Sequence, residues 1–337
     1  MSADTQIQLA HGGGGQATSR LVRELFLTHF HNERLALLDD GARLDLSGPL
    51  AMSTDAFVVD PLFFPGGDIG KLAVCGTVND VAMCGARPRS LAAAFVLEEG
   101  LPMADLERIV ASMAAEIGRA GVELVTGDTK VVPRGHGDGV YIATTGVGEV
   151  LPGVEVSGHR ARPGDRILLS GPVGDHGAAI MSVRAGIELG GDALRSDCAS
   201  VAGAAVALCE AVHGVRCLRD PTRGGLAGTL CEIAGASGVG FEIDEARIPV
   251  SEPTRAACEI LGLDPLALAC EGRFVAVVAD GDAAQAADVL GARPEVTGLA
   301  EIGRAVAEHP GRVVLRTSIG GSRLLDRAEG EPLPRIC

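Results

Sequence analysis

The chain has 337 residues, of which 47% are hydrophobic, and its formal net charge is −15, with 44 acidic against 29 basic residues. This length accommodates two domains with full cores. Nucleic acid is not expected as a partner, because phosphate backbones are bound by concentrated positive charge and the chain has no long Lys/Arg cluster. The polar first residues lack a signal pattern and no apolar stretch is long enough to span a bilayer, so we expect a cytoplasmic protein with no membrane partner.

Strand-like and helix-like segments alternate along the first half, which predicts an α/β or mixed α+β fold. The helix at 103–120 is the clearest, because its apolar residues recur at helical spacing and Gly121 supplies a stop. The predicted elements are a strand at 51–59, a helix at 69–84, a strand at 90–97, a helix at 103–120 and strands at 122–126 and 141–147.

A turn-rich stretch at 151–164 is the best candidate for a domain boundary. We therefore divide the chain into a glycine-rich N-terminal segment with a helix (1–40), an N-terminal domain (41–155), a C-terminal domain (156–328) and a tail (329–337). The predicted elements of the second half are a strand at 166–169, helices at 176–185, 198–212 and 225–236, and strands at 239–243 and 274–279.

The tail contains two prolines and ends in Cys337. Proline resists helix and a terminus is mobile unless it is tied down, so we expect a flexible, extended arm that buries little apolar surface. The chain has nine cysteines and no Cys-x-x-Cys pair, which indicates neither a zinc site nor a disulfide framework. The eight internal cysteines are interpreted as small buried hydrophobes. Cys337 is then either the reactive thiol or an incidental last residue.

Three acidic residues interrupt turns or apolar segments: Asp55, Asp80 and Asp128. Hard cations take oxygen ligands, so a magnesium ion bridging nucleotide phosphates is one interpretation of all three. Asp128 also fits an ordinary Gly-Asp turn. Spacing alone does not show that the three converge.

Other segments are compatible with phosphate binding. Gly12 and Gly13 lie in a glycine run that precedes a helical pattern, and Lys71 follows the Gly-Gly-Asp-Ile-Gly stretch at 66–70, which is neither a P-loop nor a dinucleotide fingerprint. A flexible N-terminal tail explains the glycine run equally well. Asp220 and Arg223 precede a predicted helix, and a cap with a surface ion pair is the alternative there. The stretch at 270–273, which contains Glu271, precedes a strand in the same way.

Together these segments resemble the HypE family of hydrogenase maturation factors, within the aminoimidazole ribonucleotide synthetase (PurM-like) superfamily. The resemblance runs through nearly the whole chain, and the terminal Pro-Arg-Ile-Cys is the part specific to HypE. It rests on His11-Gly-Gly-Gly-Gly, Ser-Thr-Asp55, Gly-Asp-Ile-Gly-Lys71, Asn-Asp80-Val-Ala, Gly-Asp128-Thr-Lys130, Arg-Asp220-Pro-Thr-Arg-Gly-Gly-Leu and Pro-Arg-Ile-Cys337.

The resemblance implies a PurM-like two-domain fold in a homodimer, whose N-terminal sheets pair into a shared barrel and whose C-terminal domains are α/β sandwiches. It also implies an ATP-dependent carbamoyl dehydratase, in which Cys337 accepts a carbamoyl group from a HypF-type carbamoyltransferase. ATP then drives dehydration to a thiocyanate, and the cyano group passes to a HypC–HypD complex for the iron of [NiFe]-hydrogenase.

The same resemblance implies roles for individual residues. Asp55, Asp80 and Asp128 correspond to acidic magnesium and phosphate ligands, and Lys71 to a residue near the nucleotide phosphates. Lys130 and Glu271 fall where the substrate proton is handled. Two rival classes remain: another ATP-using member of the superfamily, and a non-enzymatic thiol carrier or scaffold.

Overall fold

The structure is a computed structural model that describes residues 5–39, 41–187, 194–327 and 333–337. Short helices begin the described chain. They comprise a 3₁₀ turn (Leu9–Gly12), α1 (Gln16–Leu21), a π-helical stretch (Val22–Phe26), α2 (Leu27–Phe30) and α3 (Glu33–Ala36).

The N-terminal domain is a sheet covered on one side by helices. In the described residues its strand order is β1-β6-β4-β5, with β4 and β5 parallel and the other neighbours antiparallel. Its elements are β1 (Leu50–Phe57), a small hairpin of β2 (Phe63–Phe64) and β3 (Gly67–Asp68), α4 (Ile69–Met83), β4 (Ala86–Glu98), α5 (Met103–Ala120), β5 (Glu123–Val132) and β6 (Val140–Val150).

The C-terminal domain contains a mostly antiparallel sheet. Within the described part of the chain its strand order is β13-β12-β9-β11-β7-β10-β8. Its elements are β7 (Arg166–Leu169), α6 (Asp175–Arg184), α7 (Ala202–Ala211), β8 (Val215–Arg219), α8 (Gly225–Ser237), β9 (Gly240–Asp244), α9 (Glu252–Leu261), β10 (Val275–Val278), α10 (Ala283–Gly291), β11 (Ala300–Val306), β12 (Val313–Arg316) and β13 (Ser322–Leu325).

Helix α4 is the element that joins the two domains. It begins at the N-cap Asp68, whose side chain accepts a hydrogen bond from the Lys71 amide, and it is buried nearly all round. A helix with apolar residues on every face belongs in a core. One face packs on β1, β4 and β6, and another packs against α7 of the C-terminal domain. Asp80 therefore lies at the junction of the domains.

The buried side chain of Asn79 ties this junction together. Its Nδ2 donates to the carbonyl of Ala199 at 3.0 Å, and its Oδ1 accepts from the amide of Val201 at 2.8 Å. Buried backbone groups need such partners, because an unpaired one costs free energy.

Replacement of Asn79 by alanine is expected to lower the free energy of unfolding by about 2–3 kcal/mol, because a buried amide and a carbonyl lose their partner. Urea unfolding measures the change. The control is Gln285→Ala, which removes a comparable bond from an exposed amide to the Ala211 carbonyl, with a cost below about 1 kcal/mol. Equal costs for the two variants would contradict the role given to Asn79.

Candidate active site

A cleft of about 750 Å³ lies between the two domains. Its walls come from β1, the C-terminal half of α4, the segment after β8, the loop before β10 and the end of the chain. Six of the predicted site residues line it: Asp55, Asp80, Asp220, Arg223, Glu271 and Cys337.

Asp55 and Asp80 meet on one wall of this cleft. Residues of β1 alternate between two faces of the sheet, and Asp55 is on the face that α4 covers. The pKa of Asp55 is raised to about 6, mainly by burial and also by the charge and hydrogen bond of the neighbouring Asp80, while Arg223 opposes the shift. Ser53 Oγ donates to Asp80 Oδ2 at 2.6 Å. The wall thus concentrates negative charge away from water.

Asp220 extends this cluster from the C-terminal side. It directly follows β8, so the sheet fixes its backbone. Burial raises its pKa to about 7, and the charges of Asp80 and Asp55 add to the effect. The cleft therefore holds more carboxyl groups than its surroundings neutralise.

Glu271 is buried against the same cleft. Burial raises the pKa of its carboxyl well above the ordinary value, and the charges of Asp220 and Asp197 reinforce the shift. Its Oε1 has no hydrogen-bond partner within the described residues. Its own amide donates to Asp197 Oδ1 at 3.1 Å, and Asp197 lies 3.7 Å from Arg273. The loop is therefore fixed, while one buried carboxyl oxygen of Glu271 is left without a hydrogen bond from the described residues.

The end of the chain is docked in this cleft. Leu333 and Ile336 are buried, and a carboxylate oxygen of Cys337 accepts a hydrogen bond from the Val58 amide at 3.0 Å. The expectation that the tail buries little apolar surface was wrong, because the two apolar side chains that flank Pro334 and Arg335 are buried in the hydrophobic core. Mobility of the tail stays a prediction, and residues 328–332 lie outside the described residues.

Asp128 is on the opposite side of the N-terminal sheet from Asp55. Ala56 pairs with Ala143, Ala143 with Ala94, and Ala94 with Asp128, so these four share the open face. Asp55 is the next residue from Ala56 and points the other way. With a strand spacing of about 4.8 Å, Asp128 lies roughly 14 Å along the sheet from β1. One subunit does not bring the three predicted metal ligands together.

The remaining predicted residues also lie away from the cleft. Lys130 Nζ forms an exposed ion pair with Asp128 at 2.7 Å, which lowers the pKa of Asp128. Gly12 packs directly against the Val131 amide, where a Cβ atom would clash, so Gly12 and Gly13 stand beside this end of β5. Lys71 Nζ donates to the Gly66 carbonyl at 3.1 Å. The phosphate-binding role of Gly12, Gly13 and Lys71 and the proton-handling role of Lys130 stay predictions.

The donor set fits a magnesium ion that arrives with a nucleotide. Among the described residues, no three His, Cys, Asp or Glu side chains are grouped as a protein-only metal site. Magnesium is usually held by one or two carboxylates together with substrate phosphates. Asp55 and Asp80 are such a pair, and a bound cation would neutralise the repulsion between their charges.

Sequence reasoning missed the residues that hold the tail. His176 and Arg184, both on α6, donate to tail carbonyls. A single histidine in an apolar helix gives no sequence signal of this role.

The sequence analysis interpreted all eight internal cysteines as buried. In the structure Cys84, at the C-terminal end of α4, is exposed and lines the cleft.

None of the helices in the described ranges is long and apolar enough to cross a membrane. Residues 38–150 match the family model "AIR synthase related protein, N-terminal domain", and residues 162–316 match the corresponding C-terminal domain. The chain therefore belongs to the AIR synthase related proteins, with the PurM-like two-domain fold that the sequence predicted.

Three relatives show which family within this group the chain belongs to. Carbamoyl dehydratase HypE of Azotobacter vinelandii is 54% identical, over 98% of this chain and 97% of its own length. A solved structure of the hydrogenase maturation protein HypE in complex with ATP matches with a TM-score of 0.95 at 52% identity, covering 98% of this chain and 99% of that one. A chain of a HypE–HypF complex matches with a TM-score of 0.81 at 44% identity, covering 91% and 99%. The chain belongs to the HypE family of carbamoyl dehydratases, as the resemblance indicated.

The raised carboxyl pKa values predict how stability depends on pH. The pKa values of Asp55 and Asp220 in the folded protein are about 6 and 7, whereas in the unfolded chain both carboxyl groups have the ordinary value of 3.8. Between these limits the folded state binds more protons, so its stability falls as pH rises and then levels off.

Asp220→Asn removes this penalty and is expected to raise the free energy of unfolding by on the order of 2 kcal/mol at pH 8, with a smaller gain at pH 5. Urea unfolding at both pH values measures it. Asp128→Asn is the control, because the pKa of that exposed carboxyl is lowered and its removal should give no gain. A less stable Asp220→Asn protein at pH 8 would refute the explanation.

Proposed function

We propose that this chain removes water from a carbamoyl group carried on Cys337, using ATP, and leaves a thiocyanate on the sulfur. The observation that carries the proposal is that Cys337 lines the same cleft as Asp55, Asp80 and Glu271. A relative that shares 52% identity over nearly the whole chain has been solved in complex with ATP, which supports nucleotide binding here.

A HypF-type carbamoyltransferase is the proposed donor of the carbamoyl group, in keeping with the solved HypE–HypF complex of a relative. A HypC–HypD-type complex is the proposed acceptor of the cyano group, which becomes a ligand of the iron in [NiFe]-hydrogenase. The sulfur must then visit a donor, its own cleft and an acceptor, and a short terminal segment suits that task.

The chemistry follows from the leaving group. The S-carbamoyl carbon cannot expel hydroxide readily, so its carbonyl oxygen is first phosphorylated by ATP, with ADP released. The nitrogen loses its first proton to solvent as this phosphorylated intermediate forms. A base then removes the remaining nitrogen proton, the C–O bond breaks and the oxygen departs within phosphate. A carbon–nitrogen triple bond remains on Cys337 Sγ, and the oxygen of the lost water has gone to phosphate and its two protons to solvent and to the base.

Glu271 is the proposed base. It lines the cleft with Cys337, its pKa is raised by burial and one of its carboxyl oxygens faces no partner within the described residues. A carboxylate with a raised pKa is a stronger base once ionised. Lys130 of the same subunit is exposed and paired with Asp128, which disfavours it for this step.

Asp55 and Asp80 are the residues proposed to hold magnesium, which when bound neutralises the phosphates during transfer. Asp220 and Arg223 complete the cleft wall around the reacting group. Asp128, Lys130, Gly12 and Gly13 face away from this cleft, so we propose that they serve the site of a second subunit in a homodimer. A barrel formed from two N-terminal sheets would cover the open face that carries Asp128.

Carbamoylation followed by mass spectrometry of the C-terminal peptide tests the reaction. We expect wild type to gain a carbamoyl group and then to lose one water only with ATP, because phosphorylation creates the leaving group. Glu271→Gln should accept the carbamoyl group normally and lose water at least about 100-fold more slowly, the typical contribution of a general base. Cys337→Ser should gain no thiocyanate. Water loss without ATP would contradict the phosphorylation step, and an adduct that never dehydrates would favour a carrier.

Mixed dimers test the two-subunit site. Asp80→Asn and Asp128→Asn homodimers should each be inactive, whereas a random mixture should recover about one quarter of wild-type turnover, because half of the dimers carry one intact site. Activity that stays at the homodimer level after subunit exchange would mean that both residues serve one subunit. A mixture of Asp80→Asn with Asp55→Asn is the matched control and should recover nothing.

A further inference from the structure

Residues 333–337 are held mainly by their backbone. The carbonyls of three consecutive residues, Pro334, Arg335 and Ile336, accept hydrogen bonds from two side chains. Arg184 donates from Nη1 to the Pro334 carbonyl at 2.7 Å and from Nη2 to the Arg335 carbonyl. His176 Nε2 donates to the Ile336 carbonyl at 2.7 Å. Both side chains come from α6.

The opposite side of the tail contacts the segment that follows β1. The amide of Asp60 donates to the Arg335 carbonyl at 3.3 Å, and Arg335 Nε donates to the Val58 carbonyl at 3.0 Å. Arg335 also forms an ion pair with Asp138. Since α6 belongs to one domain and the segment after β1 to the other, the tail is clamped between them.

We propose that His176 and Arg184 form a latch that grips the tail by its carbonyl groups and so positions the Cys337 sulfur in the cleft. The inference rests on the proposed function for its purpose, since it assigns these residues as positioning residues for dehydration. A backbone grip suits an arm that must dock again after each visit to a donor or acceptor, because it does not depend on the group carried by the sulfur.

The hydrogen bonds of His176 define its role. The Ile336 carbonyl only accepts, so Nε2 carries the proton, and Nδ1 of the neutral ring then accepts from the hydroxyl of Ser196 at 2.8 Å. Ser196 Oγ in turn accepts from the Cys198 amide at 3.0 Å. His176 is fully buried, and burial lowers its pKa to about 4, which keeps the ring neutral. A fixed tautomer therefore aims one N–H at the tail.

Two substitutions separate the grip from the packing. In His176→Gln the amide nitrogen takes the place of Nε2 and can donate to Ile336, whereas in His176→Asn the side chain ends at the position of Nδ1 and reaches only Ser196. Arg184→Gln removes the guanidinium that donates to two tail carbonyls. Because Arg184 is partly exposed, this variant is expected to fold even if the histidine variants do not. Arg304→Gln, in an exposed pair with Glu242 on the C-terminal sheet, is the control.

The experiment measures alkylation of Cys337 by iodoacetamide in the full-length protein, followed by mass spectrometry of the C-terminal peptide. We expect His176→Asn and Arg184→Gln to raise the rate about three- to tenfold, the range that one net hydrogen bond contributes. His176→Gln and Arg304→Gln should stay near wild type. Unchanged rates in His176→Asn and Arg184→Gln, or equal rates in His176→Asn and His176→Gln, would overturn the latch.

A second readout links the latch to the reaction. After carbamoylation, ATP-driven water loss should slow in His176→Asn and Arg184→Gln, because the sulfur is less often and less well held in the cleft, while acceptance of the carbamoyl group, which needs an undocked tail, should not slow. Water loss at the wild-type rate in variants with raised alkylation would overturn the positioning role. If no variant and no wild-type protein loses water, the dehydratase proposal fails, and the alkylation rates still decide whether the latch exists.

Discussion

The chemistry of this protein depends on unneutralised negative charge held in a partly dry cleft between two domains. Neighbouring carboxylates raise the pKa values of Asp55, Asp220 and Glu271, and burial is the largest cause in each case. Such a cluster lowers folding stability and is therefore a sign of function rather than of structure. The cluster also makes the cleft selective among ligands, because it favours a ligand that brings a cation with it and disfavours an anion that binds without one.

The tail adds further negative charge to the cleft, because it brings the terminal carboxylate there together with a thiol. One oxygen of the Cys337 carboxylate accepts a hydrogen bond from the Val58 amide. The other hydrogen bonds involve the carbonyls of residues 334–336 and the Arg335 side chain, and the apolar contacts are made by Leu333 and Ile336, so much of the docking energy comes from parts of the tail that do not react. The sulfur is thereby free to change its chemical state while the arm keeps its position.

Local patterns predicted most of the secondary structure, and the helix at Met103–Ala120 has the bounds expected from its apolar stripe and from Gly121, whose φ is 67°. The strand at Ala86–Glu98 is longer than its apolar part, because sheet pairing extends it in both directions. Helices α9 and α10 were missed, although α9 has Ser251 as its N-cap, a proline in its first turn and Gly262 as its stop. The candidate carboxylates were found by type and by resemblance.

The sequence could not predict which of the candidate aspartates lie close together in the fold. Asp55 and Asp128 look equivalent in the chain, since each follows a short polar turn or strand, yet they face opposite sides of one sheet. That difference depends on the register between β1, β6, β4 and β5, which is a property of paired strands and not of any one segment. The same register makes a one-subunit metal site with all three aspartates impossible, and it turns the open face of the sheet into the place where a second subunit would complete the site.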